Sequence, residues 1–310
     1  MRNILVTGAA GFIGSHLIDE LLKDEDNFVI GIDDGCSSTG ENLDHIKGHM
    51  RFYFIYYDIV NPRIFSMRID LIYHLACPAS PVYYQKDPMK TLDTCYTGTR
   101  NMLELAKSKK CPILFTSTSE IYGEPLVHPQ SEGYRGNVNP IGPRAIYDEG
   151  KRVAETMMTA YHTQYDVDIR IARIFNTYGP RLMRDDGRVV SNFITQALAG
   201  EPITLYGDGT QTRSFCYISD TVRGLMMLMD SGITTPINIG NPNEITVFEL
   251  ATRILLLTDS DSVMMYGDLP IDDPSRRKPN INKAGRLLGW KPEVGLTAGL
   301  KSTISYFKEK

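Results

Sequence analysis

The stretch TGAAGFIGSHL, residues 7–17, limits what this chain can fold into more than any other segment. It follows the apolar run NILV and spaces Gly8, Gly11 and Gly14 as G-x-x-G-x-x-G between a strand pattern and a helix pattern. Such a junction turns tightly at Gly8, lets backbone approach a pyrophosphate at Gly11 and packs helix against strand at Gly14. Free N–H groups and the dipole at the helix start then favour a bound anion. Glycine spacing alone also fits a plain turn. Asp33, about twenty residues downstream at the end of VIGIDD, adds a feature that a turn does not need. A carboxylate there accepts hydrogen bonds from ribose hydroxyls and repels a 2′-phosphate. No arginine follows to receive one, so the pattern selects NAD over NADP. The plain alternative is that Asp33 and Asp34 cap a loop.

Apolar runs at residues 3–7, 28–33, 51–58, 71–76, 112–118 and 168–175 read as strands, with helical stretches at 13–23, 91–107 and 149–165. This alternation predicts an α/β chain, a Rossmann-type doubly wound parallel sheet with helices on both faces. Beyond residues 179–180 the texture changes. Helices are expected at 188–199, 246–257 and 296–308, a short strand at 203–206, and strands at 214–218 and 236–240 that could rejoin the large sheet. Residues 1–179, with 214–240 returning to them, are expected to form an NAD-binding domain. Residues 180–213 and 241–310 are expected to form a smaller, partly interleaved C-terminal substrate lobe. A chain of 310 residues is long enough for both.

The net charge of −4 gives no sign of a nucleic-acid partner. No apolar run approaches the roughly 20 residues of a membrane span. The chain start leads directly into ILVTG without a signal-peptide pattern, so the expected location is cytoplasmic. The five cysteines (Cys36, Cys77, Cys95, Cys111 and Cys216) are odd in number and lack any C-x-x-C spacing, which suggests neither a disulfide framework nor a metal site.

The segment TSTSEIYG, residues 116–123, opens a buried strand pattern into a cluster of hydroxyls with one acid, Glu120. Further on, Tyr147 and Lys151 stand four apart in YDEGK, on one face of a helix. A free phenol has a pKa near 10, and a neighbouring ammonium lowers it. Tyr147 could then take a hydroxyl proton while a hydride leaves the same carbon for NAD. A Y-x-x-x-K match is common by chance. Its place after a dinucleotide motif and a hydroxyl-ended strand is not.

With these features the chain resembles the extended short-chain dehydrogenase/reductase family, and within it the UDP-glucuronate decarboxylases. The resemblance covers nearly the whole chain, through blocks such as YHLACPASP, NPIGPRAIYDEGKRVAET, RIARIFNTYGPR, GTQTRSFCYISD and DDPSRRKPNI. It implies Thr118, Glu120, Tyr147, Lys151 and Arg277 as catalytic residues, Thr118 bonding the reacting sugar hydroxyl beside Tyr147. For NAD it implies Gly8, Gly11, Phe12, Ile13, Gly14, Asp33, Asp34, Ser38, Thr39 and Gly40, with Asp58 and Ile59 against adenine. Leu75, Ala76, Thr177 and Arg188, together with Tyr147 and Lys151, complete that set. For the sugar nucleotide it implies Pro78, Ser80, Tyr84, Ser119, Glu120, Asn176, Val190, Asn192, Tyr206, Gln211, Arg213 and Arg277. No metal is implied. Any one of these arginines taken singly could be a surface residue in a solvated loop.

Members of the family share oxidation of the sugar at carbon 4. Related sugar 4,6-dehydratases carry Asp-Glu after the threonine, whereas this chain carries Ser119-Glu120, and simple 4-epimerases generally lack the pair. The pattern implies decarboxylation of UDP-glucuronate to UDP-xylose through a 4-keto sugar, with NAD regenerated in each cycle and Glu120 relaying protons, or orienting a water, beside carbon 5. A 4-epimerase, a decarboxylase that releases the 4-keto intermediate with NADH, and a catalytically silent NAD-binding regulator remain alternatives. Cys95 stands where the family usually has asparagine and Asp93 where it has lysine, which implies weakened NAD retention. The resemblance also implies a homodimer through the helix carrying Tyr147 and the one near residues 91–107.

Overall fold

A computed structural model describes residues 1–38 and 40–310. The first strand, Arg2–Thr7 (β1), turns at Gly8 into helix Phe12–Leu22 (α1), which buries Gly14, Leu17, Ile18 and Leu21 against the sheet. Asn27–Asp33 (β2), Phe52–Tyr56 (β3) and Leu71–His74 (β4) follow. Next come two short helices, Pro81–Lys86 (α2) and Pro88–Asp93 (α3), a π-helical turn at Thr94–Gly98, and Thr99–Lys109 (α4). The single helix expected at 91–107 is thus interrupted by a wider turn, a device frequent at functional sites. Ile113–Thr118 (β5) leads to the long helix Ala145–Tyr165 (α5), and Ile169–Ile174 (β6) completes the first half. That long helix begins four residues earlier than the polar sequence suggested, which puts Tyr147 inside its first turn.

The second half contains Thr177–Tyr178 (β7), Val189–Ala199 (α6), Ile203–Tyr206 (β8), Thr212–Ser214 (β9), Cys216–Tyr217 (β10) and Ile218–Met229 (α7). It continues through Ile237–Ile239 (β11), Glu244–Thr246 (β12), Val247–Thr258 (α8), Met264–Gly267 (β13), Arg276–Arg277 (β14), Asn282–Leu288 (α9) and Leu296–Glu309 (α10).

Seven parallel strands form the main sheet in the order β3-β2-β1-β4-β5-β6-β11. The order reverses between β1 and β4, and in such sheets ligands bind in the crevice beyond the strand ends at that point. Only residues 237–239 of the expected returning strands join this sheet. Residues 212–214 instead pair with β12 and β14 in a three-stranded sheet, and 216–217 pair with β7. Strands of two or three residues carry too little pattern to reveal their partner. Two apolar clusters cover the two faces of the sheet, one with α1 and α7, the other with α4 and α5. A third gathers α6, α8 and α10. Among the described residues no helix is long and apolar enough to cross a membrane.

The β1–α1 turn depends on glycine at two places. Gly8 has φ +71°, and a Cβ there would lie 2.9 Å from the Ala76 nitrogen at the end of β4. A Cβ on Gly14 would lie 2.0 Å from the Gly8 carbonyl oxygen, so helix and turn could not both stay in place. Gly14→Ala should lower stability by roughly 1–3 kcal/mol, the usual range for overpacking, and weaken NAD binding together with it. Thermal melts with and without NAD check this, and an unchanged midpoint would contradict the packing argument.

Candidate active site

A cavity of about 570 Å³ runs from the β1–α1 turn, past the ends of β4 and β5, to the three-stranded sheet. At its first end the N-terminus of α1 has no side-chain cap, leaving backbone N–H groups free for an anion. Asp33 is buried: its carboxylate accepts from Ala10 N at 3.0 Å, Gly35 N at 2.9 Å and the Ser38 hydroxyl at 3.3 Å. It therefore caps the loop while lining the cavity, so both readings of that residue describe it. Burial raises its pKa, against the pull of those backbone donors. Asp34 pairs with Lys90 at 2.7 Å and Asp58 with the same ammonium at 2.5 Å, which ties the two loops together. Asp58 and Gly40 do not line the cavity, because the carboxylate of the first is turned to Lys90, and Thr39 lies outside the described residues. Asp93, which stands where the family usually has lysine, is exposed on the surface, while Lys90 supplies a positive charge beside the two loops.

The remaining residues singled out from the sequence come together on this cavity: Phe12, Ile13, Ile59, Leu75, Ala76, Pro78, Ser80, Tyr84, Asn176, Thr177, Arg188, Val190, Asn192, Tyr206 and Gln211 all line it. Several polar atoms on its walls find no partner among the described residues: the hydroxyls of Ser80, Ser117 and Tyr84, Gln211 Oε1, and Nε of Arg144 and Arg277. Buried polar atoms are nearly always satisfied, so a wall carrying this many suits a polar ligand. With the glycine cradle and Asp33, these residues fit a dinucleotide and a sugar nucleotide side by side.

Midway along, β5 ends at Thr118, and Tyr147 and Lys151 face it from α5. Tyr147 is 6 % exposed and stacks on Tyr84, with ring centroids 5.1 Å apart and planes 8° from parallel. Lys151 donates to the Thr116 carbonyl at 2.9 Å, and its ammonium lies 5.8 Å from the centre of the Tyr147 ring. The expected lowering of the Tyr147 pKa is reversed here. Burial and the neighbouring Cys77 push it well above its ordinary value, against a pull from Thr118. Lys151 spends a donor on backbone, and the buried phenol is held in its neutral form.

Past Thr118 the cavity wall is a network of buried charges. Glu120 pairs with Arg144 at 2.7 Å and Arg277 at 3.1 Å. Arg144 also reaches Asp273 at 3.2 Å, and Arg213 reaches the same acid at 2.9 Å. Arg213 and Arg277 are register neighbours on β9 and β14, so the small sheet sets them side by side. Arg277 is 1 % exposed and also donates to the Gly123 carbonyl at 3.1 Å. Burial alone would raise the pKa of Glu120, but Arg277 and Arg144 outweigh it and hold the carboxyl at about 2. Glu120 is thus ionised between the two guanidinium groups it pairs with, a state that suits accepting a proton or orienting a water rather than donating one.

Three residues escaped the sequence reading. Arg144 lies within the NPIGPRAIYDEGK block, three positions before Tyr147, and that i,i+3 spacing was the available signal. Asp273 lies in DDPSRRKP, where only tertiary structure brings it to Arg144 and Arg213. Asp148, beside Tyr147 in sequence, is 6 % exposed and one of its carboxyl oxygens has no partner among the described residues. Burial first, then the Glu120 charge, pushes its pKa up to about 8. An acid raised in this way stabilises the fold fully below its unfolded value, near 3.8, and that contribution is lost as pH rises through about 8. The stability of wild type relative to Asp148→Asn should therefore fall steadily between about pH 4 and pH 8 and level off above. Urea midpoints across that range test it, and a constant difference contradicts a protonated Asp148.

Comparison with known proteins bears on this geometry. A family model described as GDP-mannose 4,6 dehydratase matches residues 5–303. The chain is 58% identical over 298 residues to UDP-glucuronic acid decarboxylase 6 of Arabidopsis thaliana, covering 96% of this chain and 86% of the relative. It is 52% identical over 309 residues to UDP-glucuronic acid decarboxylase 1 of Xenopus tropicalis, covering 100% of this chain and 73% of the relative. Among solved structures, it resembles UDP-glucuronic acid 4-epimerase from Bacillus cereus, in complex with UDP-glucuronic acid and NAD. There the TM-score is 0.89 and the identity 32%, over 99% of both chains. A UDP-glucose 4-epimerase from Thermotoga maritima gives a TM-score of 0.91 at 32% identity over 99% of each. Identity of this extent, on a parallel sheet with this cavity at its switch point, places the chain in the extended short-chain dehydrogenase/reductase family, among the UDP-glucuronic acid decarboxylases.

Proposed function

We propose that the chain uses NAD to decarboxylate UDP-glucuronate to UDP-xylose through a 4-keto sugar. The observation that carries this reading is the wall beyond Thr118. Ser119 is not an acid and Glu120 is locked between two arginines, so the acid–base pair that removes water in dehydratases is absent. The three guanidinium groups Arg144, Arg213 and Arg277 face two carboxylates, Glu120 and Asp273, leaving one surplus positive charge. Such a wall attracts an anionic sugar nucleotide without committing a free arginine to its carboxylate. A tight grip there would stabilise the ground state and oppose loss of carbon dioxide.

The chemistry follows from these groups. Tyr147 and Thr118 hold the carbon-4 hydroxyl, and Tyr147 takes its proton, the nearby Lys151 ammonium favouring the phenolate that forms. Bound NAD supplies the acceptor for the carbon-4 hydride and returns that hydride later, so the reaction needs no outside reductant. Loss of carbon dioxide from the β-keto acid leaves an enolate whose oxygen is met by Tyr147 and Thr118. Glu120 keeps Arg277 and Arg144 in place beside carbon 5, where a proton must arrive.

Residues 1–179, with 214–240, are the part we assign to NAD, and 180–213 and 241–310 the part that closes over the sugar nucleotide. A homodimer through α5 and the α3–α4 region is supported by the exposed Met89, Tyr96 and Tyr165. A cytoplasmic location is supported by the five free cysteines.

Incubation with UDP-glucuronate and NAD should give carbon dioxide and UDP-xylose without net NADH. Accumulating NADH would instead indicate release of the 4-keto sugar, and a 4-epimer without carbon dioxide would refute the assignment. Glu120→Gln should leave NAD binding intact and slow carbon dioxide release on the order of 100-fold, by loosening the arginines it fixes. Unchanged turnover in that variant would remove Glu120 from the site.

A further inference from the structure

Two thiols stand together in the wall of the cavity. The Cys77 sulfur lies 3.3 Å from that of Cys95, although the residues are 18 apart in sequence. Cys77 follows Ala76 at the end of β4 and lines the cavity. Cys95 is 2 % exposed and belongs to the π-helical turn between α3 and α4. The other side of Cys95 packs on α5: a Cβ added at Gly150 would lie 3.0 Å from the Cys95 sulfur. Gly150 precedes Lys151 and is three residues from Tyr147. The pair thus connects the strand end that flanks the cofactor with the helix that carries the catalytic residues.

We propose that Cys77 and Cys95 form a peroxide-sensitive dithiol whose closure to a disulfide reversibly arrests turnover. The Cys77 thiolate attacks one oxygen of a peroxide; the O–O bond breaks, hydroxide leaves and is protonated to water, and Cys77 becomes a sulfenic acid. The Cys95 sulfur then attacks the Cys77 sulfur, the S–O bond breaks, a second water leaves, and the S–S bond forms. Two thiols are oxidised, one peroxide is reduced to two waters, and a thiol reductant reverses the change.

The surroundings divide the roles. The Cys77 thiol is lowered to about 7 by the hydrogen bond from Cys95, against burial and with help from the Lys151 charge. Cys95 is pushed well above its ordinary value by its hydrogen bond with Cys77 and by burial, and suits the resolving position. Burial raises Cys111 and Cys216 to about 12, so they serve as unreactive controls within the same chain. Closure brings the sulfurs from 3.3 Å to about 2.0 Å. A displacement on the order of 1 Å at reacting groups can cost on the order of 100-fold in rate. Here it is applied where Cys95 bears on the helix of Tyr147 and Lys151.

The test treats the NAD-loaded enzyme with hydrogen peroxide, blocks free thiols, and combines peptide mapping with the UDP-glucuronate assay. We expect a Cys77–Cys95 linked peptide, a mass loss of about 2 Da, and a fall in turnover of roughly tenfold or more, restored by dithiothreitol. Cys95→Ser and Cys77→Ser should each abolish the link, Cys95→Ser gaining oxygen at Cys77 instead, with rates compared to the same variant untreated. Absence of the link, a link between other cysteines, or a link that leaves turnover unchanged would overturn the proposal. The effect on rate rests on the decarboxylase reading, whereas the link does not. An untreated enzyme that releases no carbon dioxide would defeat that reading alone, and the presence or absence of the link would then decide the pair.

Discussion

The placement of Glu120 between Arg144 and Arg277 holds the site together. Glu120 and its two partners come from distant parts of the chain: the turn after β5, the residue just before α5, and the short strand β14. Removing one member of a buried ion pair typically costs about 3–5 kcal/mol, because the partner charge is left unpaired and desolvated. The carboxylate therefore acts as a structural centre first, fixing where the C-terminal segment closes over the sheet. Asp273 extends the same logic by receiving Arg144 and Arg213 together.

The balance of charge in this network explains its chemistry. Each carboxylate is shared by two guanidinium groups, so the wall keeps a small positive excess without an isolated buried charge. Asp148 stands behind it with a pKa raised first by burial and then by the nearby Glu120 charge. Tyr147 is treated in the opposite sense to a surface phenol. It is buried, stacked on Tyr84 and pushed upward.

Much of the fold was legible because strong local signals coincide with the elements that bear them. The glycines of residues 7–17 announce the β1–α1 turn, since Gly8 and Gly14 cannot carry a Cβ there. Alternating apolar and amphipathic stretches mark β1 to β6 and their helices to within a few residues. The short strands were less legible: residues 214–218 read as one strand returning to the large sheet, whereas 212–214 and 216–217 pair away from it. The interruption of the helix at Thr94–Gly98 has no sequence period of its own, and the Cys77–Cys95 contact across it could not be inferred from scattered cysteines. Arg144 was visible in a quoted block but carried no sign of its partners.

By itself, the sequence determined the parallel sheet, the dinucleotide turn with Asp33, the Tyr147–Lys151 face beside Thr118, and the choice of Ser119-Glu120 over an acid pair. Those depend on backbone geometry and on spacing along one element, which a linear pattern records. Tertiary structure alone decided the charge states: Glu120 firmly ionised, Asp148 protonated near neutrality, Tyr147 raised. Each of these depends on desolvation and on arginines or thiols brought close from elsewhere in the chain, and a pKa is set by what surrounds a group in space.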